Sequence, residues 1–309
     1  MRLFTSHRSE SIAALGERKL IAAIRRWLGA ASPPAPFGIG DDCAVLRNTG
    51  AWQLLTVDPV VYGRHFDDSV PARAVGAKLL KRNLSDLAAM GGRPTAAVVA
   101  LALDPRVRLA WLEEFHQGLG ACARRYGVTL VGGDVAQADH TFVASLTLLG
   151  AAQAPRVLTR SGAAAGDWIY VTGALGGSRR SGRHAFFTPR LTEGAWLARR
   201  RAVRSMIDVS DGLAKDLQAL TPQRVAPAVI AANIPRNRGA SLTAALSDGE
   251  DFELLFALAA RSDRAAFARA WRNAFPRTRL SCIGRFVPKG KLPPDALDLG
   301  RFHGYEHLR

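Results

Sequence analysis

The acids of this chain fall repeatedly into one kind of setting. Asp41 and Asp42 sit between glycine and small apolar residues in "GIGDDCAVL" (38–46), Asp58 follows "WQLLTV", and Asp134 closes "VTLVGGD". Asp208 and Asp211 bracket "IDVSD", while Asp86 and Glu250 stand at helix or strand boundaries. Acids that serve solubility scatter over polar faces or pair with lysine along helices. Carboxylates beside apolar strands are costly unless cations or hydrogen bonds compensate them. No His/Cys cluster accompanies them, so hard oxygen donors point to Mg²⁺, which keeps water and phosphate in its shell. The neighbouring glycines would let backbone N–H groups approach phosphate oxygens. Together these features suggest metal-dependent nucleotide chemistry. No G-x-x-x-x-G-K-[ST] occurs, and "GALGGS" (173–178) is neither a P-loop nor a dinucleotide fingerprint. Taken singly, each acid also fits a turn, where Asp bonds nearby backbone N–H groups; Asp41, Asp139, Asp167 and Asp251 carry that reading as readily.

The elements that must hold these acids alternate between strand and helix patterns. "SIAALGERKLIAAIRRWLG" reads as a first helix and "LGAASPPAPFG" (28–38) as a connector. "WQLLTVDPVVYG" (52–63) reads as a strand in which Pro59 ends the ladder or marks an edge. The stretch 67–92 predicts a helix with Ser69 as N-cap, Pro71 in the first turn and Gly91–Gly92 as the stop. Val75, Leu79, Leu80, Leu84 and Leu87 give it one buried stripe, with Asn83 and Asp86 on another face. A strand at 95–102 precedes a helix from Arg106 to Tyr126 with Leu109, Leu112, Phe115, Leu119 and Cys122 inward. "VTLVGGDV" (128–135) reads as a short strand entering a Gly-Gly-Asp turn, and 140–150 as another strand. After the linker 151–167, strands at 168–173, 205–211, 226–233, 251–258 and 279–286 alternate with helices. The order implies α/β architecture in two units, 1–150 and 151–309.

Composition removes several classes. At 309 residues, 48% of them hydrophobic, the chain is long enough for two cored domains and is not a disordered protein. The longest apolar run, "TAAVVALAL" (95–103), is too short to cross a bilayer, and no signal-peptide pattern opens the chain. The three scattered cysteines, Cys43, Cys122 and Cys282, suit a reducing, cytoplasmic setting and argue against structural zinc or disulfides. The net charge of +16 raises nucleic-acid binding as an alternative. The basic residues are mostly arginines spread along the chain, however, and no nucleic-acid-reading motif is present.

Read in order, "GERKLI", "GIGDDCAVL", "VDPVVYGRHF", "RNLSDLAAMGGRP", "VTLVGGDV", "LTRSGAAAGDWIYVTG", "TPRLTEGAWLA", "MIDVSDGLAKDL", "DGEDFELLFAL" and "CIGRF" resemble the thiamine-monophosphate kinase family. That family lies in the superfamily of aminoimidazole ribonucleotide synthetase and selenophosphate synthetase. The resemblance implies two mixed α/β domains of the synthetase type, the first strand-rich, dimer-forming and binding ATP and Mg²⁺. It implies transfer of the ATP γ-phosphoryl group to thiamine monophosphate, with no dedicated catalytic base, in a homodimer without specific nucleic-acid or membrane partners. Carried over by motif, Asp42, Asp58, Asp86, Asp134, Asp208 and Asp211 would bind metal, with backbone oxygens of Thr56 and Val57. Asp134, Arg160 and Ser210 would meet the nucleotide. His65 and Glu250 would meet the acceptor, and Phe302 or Tyr305 would stack on a thiamine ring.

The chain departs from the family at Val57, where a hydroxyl residue is usual, and at Asp248, where glycine is usual; the stretches 174–190 and 221–246 look short. Alternative readings are a sister enzyme acting on another phosphorylated acceptor and a non-catalytic basic nucleic-acid-binding paralogue.

Overall fold

The computed structural model describes residues 41–48 and 51–306, together with Lys19 and Ala22. The predicted first helix, the "GIG" of residues 38–40 and most of "GERKLI" lie outside the described residues. The first half runs β1 (Ala44–Asn48), β2 (Ala51–Val61), α1 (Ala72–Ala89), β3 (Gly92–Leu103), α2 (Leu109–Tyr126), β4 (Thr129–Gln137) and β5 (Phe142–Ala152). Its five strands form one sheet in the order β1-β2-β5-β3-β4, antiparallel except for the β3/β4 pair. The second half runs β6 (Trp168–Thr172), α3 (Arg183–Phe186), α4 (Leu191–Ala198), β7 (Val203–Asp208), α5 (Leu213–Leu220) and β8 (Val225–Val229). It ends with α6 (Leu242–Ser247), β9 (Leu254–Leu258), α7 (Arg264–Ala274) and β10 (Leu280–Pro288). Its sheet is ordered β7-β9-β6-β10-β8. None of the described helices is long and apolar enough to cross a membrane.

Helix α1 is the element that positions the chemistry. Val75, Leu79, Leu80, Leu84 and Leu87 are fully buried, which matches the stripe expected from their spacing. Two close approaches fix the helix in place. A Cβ on Gly118 of α2 would collide with the Arg73 carbonyl, and one on Gly194 of α4 with the Ala88 carbonyl. Glycine therefore lets helices from both halves press backbone to backbone on α1. At its end, Met90 Sδ accepts from the Cys43 N–H at 3.0 Å, tying the start of β1, and so Asp42, to the C-terminus of α1.

Several local expectations are corrected. Helix α1 starts at Ala72 with Pro71 in the N-cap position, and Ser69 instead bonds Asp67. Helix α2 begins at Leu109, and Leu109 is 81% exposed, because a residue in the first turn projects beyond the core edge. Gly132-Gly133-Asp134 forms no turn; it continues β4 alongside β3. Pro59 neither ends β2 nor breaks a ladder bond on the β1 side, since β1 covers only Ala51–Leu55.

The two sheets differ in cover. In the second half, strands β6, β7 and β9 are buried almost throughout. In the first half, alternation places Leu54, Thr56, Asp58 and Val60 of β2 toward the helices and Val57 on the opposite face. That opposite face carries Val57 at 59% and Val98 at 40% exposure, and every residue of β4 is exposed.

Candidate active site

The acids converge from separate elements. Asp42 precedes β1, Asp86 lies one turn from the end of α1, and Asp208 ends β7. One carboxylate oxygen from each falls within 4.8 Å of the others. Each carboxylate is held by a different partner. Arg160 grips Asp42 with Nε and Nη2, both at 3.1 Å. The Thr56 hydroxyl donates to Asp86 at 2.6 Å, and the Ser85 hydroxyl donates to Asp208 at 2.6 Å. Asp41 accepts from the backbone N–H groups of Arg160 and Asp42 at 3.0 and 3.2 Å.

Burial and mutual repulsion act together on this cluster. Burial, then the charges of Asp58, Asp208 and Asp42, pushes Asp86 well above the usual carboxylate range. Burial, then the charge of Asp42, lifts Asp208 to about 7. The same causes lift Asp41 to about 6, against the Arg160 N–H and guanidinium. The cluster consists of oxygen donors with surplus negative charge, a set that can hold a hard divalent cation.

Asp58 stands beside the cluster on β2, paired through both oxygens with Arg82 Nη2 and Nε at 3.1 and 3.2 Å. Beyond it the sign of the charge reverses. Glu250 lies 2.6 Å from Lys78 Nζ, 3.5 Å from His184 Nδ1 and 3.9 Å from Arg82 Nη1. Lys78 is fully buried and also donates to the His65 carbonyl at 2.7 Å. Burial draws its ammonium down to about 8, with Glu250 opposing. Glu250 itself has φ +55°, between Gly249 at +71° and Phe252 at +52°. A non-glycine residue rarely adopts this conformation. Its N–H is held by the Ser210 carbonyl at 2.7 Å, which anchors the loop to the end of β7.

A cleft of about 180 Å³ joins these groups, lined by Asp58, Asp86, Ser210, Asp211, Glu250 and Tyr305 among others. Asp216 accepts from the N–H groups of Ser210 and Asp211, each at 3.1 Å, and so shapes the cleft edge. Tyr305 reaches it because its N–H bonds the Asp211 carbonyl at 2.9 Å and Lys215 bonds its carbonyl at 2.8 Å.

Of the residues singled out in the sequence, Asp42, Asp86 and Asp208 meet, and Thr56 stands next to them with its hydroxyl on Asp86. Asp58, His65, Ser210, Asp211, Glu250 and Tyr305 line the adjoining cleft, and Arg160 flanks Asp42. Two do not join them within one chain. Asp134 is exposed on β4, three strand spacings and so about 14 Å from β2. Phe302 packs against the apolar core of the second half. Val57, expected to offer its backbone oxygen, precedes Asp58 in β2 with its side chain on the opposite sheet face. The sequence reading missed Lys78, Arg82, Ser85 and His184. The first three lie with Asp86 along one side of α1, at positions 78, 82, 85 and 86, a polar stripe at helical spacing.

The family model for the AIR synthase related protein, N-terminal domain, matches residues 40–152. Thiamine-monophosphate kinase of Rhodopirellula baltica is 35% identical over 274 residues, 82% of this chain and 85% of that protein. The Escherichia coli (strain K12) thiamine-monophosphate kinase is 34% identical over 334 aligned positions, 96% of this chain and 99% of that protein. Among solved structures, AaThiL complexed with AMPPCP and TMP superposes with a TM-score of 0.77 at 26% identity, over 96% of this chain and 98% of that one. With that extent of likeness, and with the acids of its motifs drawn together as described, the chain belongs to the thiamine-monophosphate kinase family.

Proposed function

We propose that this protein transfers the γ-phosphoryl group of ATP to the phosphate of thiamine monophosphate, giving thiamine diphosphate. The observation that carries the reading is the meeting of Asp42, Asp86 and Asp208 beside a cleft that Asp86 lines together with Arg64, Arg82 and Arg179. The donor chemistry of this cluster fits Mg²⁺: oxygen ligands only, several of them buried, with too much negative charge to remain alone. Asp42, Asp58, Asp86 and Asp208 would hold it, with Asp211 at the cleft edge. Bound there, Mg²⁺ neutralises and orients the phosphate oxygens during transfer.

The chain's own residues have narrower tasks. A phosphate monoester is already anionic near neutral pH, so the acceptor needs alignment rather than deprotonation. Arg160, bonded to Asp42, and Ser210, on the cleft wall, are assigned to the nucleotide. His65, Glu250 and Tyr305 line the remainder of the cleft and are assigned to the acceptor. Asp134 points away from this cleft, on the uncovered face of the first sheet. That placement supports a homodimer in which the exposed apolar face and β4 are covered by a second copy, which also supplies Asp134. Residues 1–150 are thus assigned to metal, nucleotide and dimer formation and residues 151–309 to the second wall of the cleft. The protein is assigned to the cytoplasm, with no sequence-specific nucleic-acid binding.

A coupled assay with ATP, Mg²⁺ and a panel of thiamine, thiamine monophosphate and aminoimidazole precursors tests the reading. Turnover is expected with thiamine monophosphate and not with thiamine; comparable phosphorylation of free thiamine, or preference for another phosphate ester, overturns it. Light scattering is expected to report a dimer at micromolar concentration, reduced to monomer by Val57→Asp.

A further inference from the structure

Both oxygens of Asp58 are occupied by one guanidinium, that of Arg82, whose side chain is only 11% exposed. A cation that takes Asp58 as a ligand competes with Arg82 for the charge and lone pairs of that carboxylate and so weakens the bidentate pair. Arg82 cannot then move into solvent, and a buried guanidinium left without a partner is expensive. The nearest other carboxylate is Glu250, 3.9 Å away, but it already lies 2.6 Å from Lys78 and 3.5 Å from His184. One carboxylate would then answer three cationic or protonatable groups. Arg64 and Arg179 line the same cleft and add to the surplus, with Arg179 bonded to the Arg64 carbonyl at 3.1 Å. Filling the acid end with a cation therefore leaves a positive excess at the other end, inside a space large enough for a phosphate group.

We propose that Arg82 couples the two ends: it is the resident counter-ion of Asp58, and a divalent cation at Asp58 frees its guanidinium to bind the phosphate of the acceptor. The inference rests on the reading of Asp58 as a metal ligand and of the acceptor as a phosphate ester. A planar guanidinium fork matches phosphate as well as carboxylate, so the same N–H groups serve both partners in turn. Linkage makes the effect reciprocal: metal strengthens acceptor binding by the factor by which acceptor strengthens metal binding.

The test titrates Mn²⁺ into the full-length protein and follows free Mn²⁺ by paramagnetic resonance, with and without thiamine monophosphate and without nucleotide, so that no turnover intervenes. In the parent protein the acceptor is expected to tighten Mn²⁺ binding about fivefold or more. In Arg82→Met, Mn²⁺ alone is expected to bind about fivefold tighter than in the parent, and the acceptor to change that affinity less than about twofold. Arg82→Lys keeps a charge but cannot span both Asp58 oxygens, and is expected to bind Mn²⁺ alone more tightly than the parent; it carries the test if Arg82→Met does not fold. Unchanged Mn²⁺ affinity in the folded variants, or coupling that persists in Arg82→Met, overturns the proposal even where thiamine monophosphate is turned over. Replacing the acceptor by inorganic phosphate separates the two readings. Arg82-dependent coupling with phosphate, but none with thiamine monophosphate, upholds the role of Arg82 and overturns the acceptor assignment.

Discussion

The two ends of the cleft carry opposite imbalances. At one, Asp42, Asp86 and Asp208 crowd their carboxylates together, and the protein supplies one guanidinium and two hydroxyls to hold them. At the other, a single carboxylate, Glu250, is faced by Lys78, Arg82 and His184. The first end lacks positive charge, and the second is balanced only while Arg82 stays paired with Asp58, turning positive when that pair opens. A metal cation and a phosphate anion are the species that complete them, which is the pairing phosphoryl transfer requires. Each end is imbalanced in the sense that its ligand corrects, so a ligand-free protein that is locally frustrated becomes a satisfied complex.

The largest effect should come from neutralising the acid end. Asp86→Asn keeps size and removes charge, and kcat is expected to fall about 100-fold or more, with a smaller change in nucleotide affinity. Steady-state kinetics across a Mg²⁺ series checks this; near-parental rate with unchanged Mg²⁺ dependence would remove the acid cluster from the mechanism.

At the opposite end the signature should differ in kind. Lys78→Met fills the same space without the ammonium and leaves Glu250 closer to neutral balance with Arg82 and His184. KM for thiamine monophosphate is expected to rise about tenfold through loss of a positive charge behind the cleft wall, with kcat changed much less. Equal losses in kcat and kcat/KM at both ends would erase the distinction between them.

The smallest effect concerns stability. Asp208 titrates at about 7 in the folded protein against an ordinary value of 3.8, so folding favours its protonated form. Its contribution is fully present below about pH 3.8 and is lost as pH rises through about 7. Asp208→Asn should therefore raise the Tm of the metal-free protein at pH 8 by at least about 2 °C, and by less at pH 5. Thermal melts in chelator at the two pH values measure the difference.

Much of this arrangement was legible in the sequence because acids beside apolar strands are chemically conspicuous. Asp42 and Asp86 are joined in the sequence only through the likeness of their motifs to the thiamine-monophosphate kinase family; the strand and helix signals flanking them place each acid but do not say that they meet. Lys78, Arg82 and His184 were missed. A lysine in "GAKLLKRNL" reads as a solvated helix residue, and only the packing of His65, His184 and the Glu250 loop around it makes it fully buried. The reversal of charge along the cleft is likewise a tertiary property, because Glu250 lies 172 positions from Lys78 in sequence yet within ion-pair distance. Gly-Gly-Asp misled as a turn signal because glycines in β4 serve close strand approach: a Cβ on Gly133 would strike the Val99 carbonyl.

The elevated affinity of Asp86 and Asp208 for protons has a consequence that a calorimeter can read. At pH near 7 Asp208 is about half protonated in the metal-free protein and Asp86 is shifted in the same direction, so a divalent cation must displace protons to gain its ligands. Loading the site therefore acidifies the solution. The heat of binding should vary with the ionisation enthalpy of the buffer, its slope giving the number of protons expelled, and that number should shrink as the starting pH is raised.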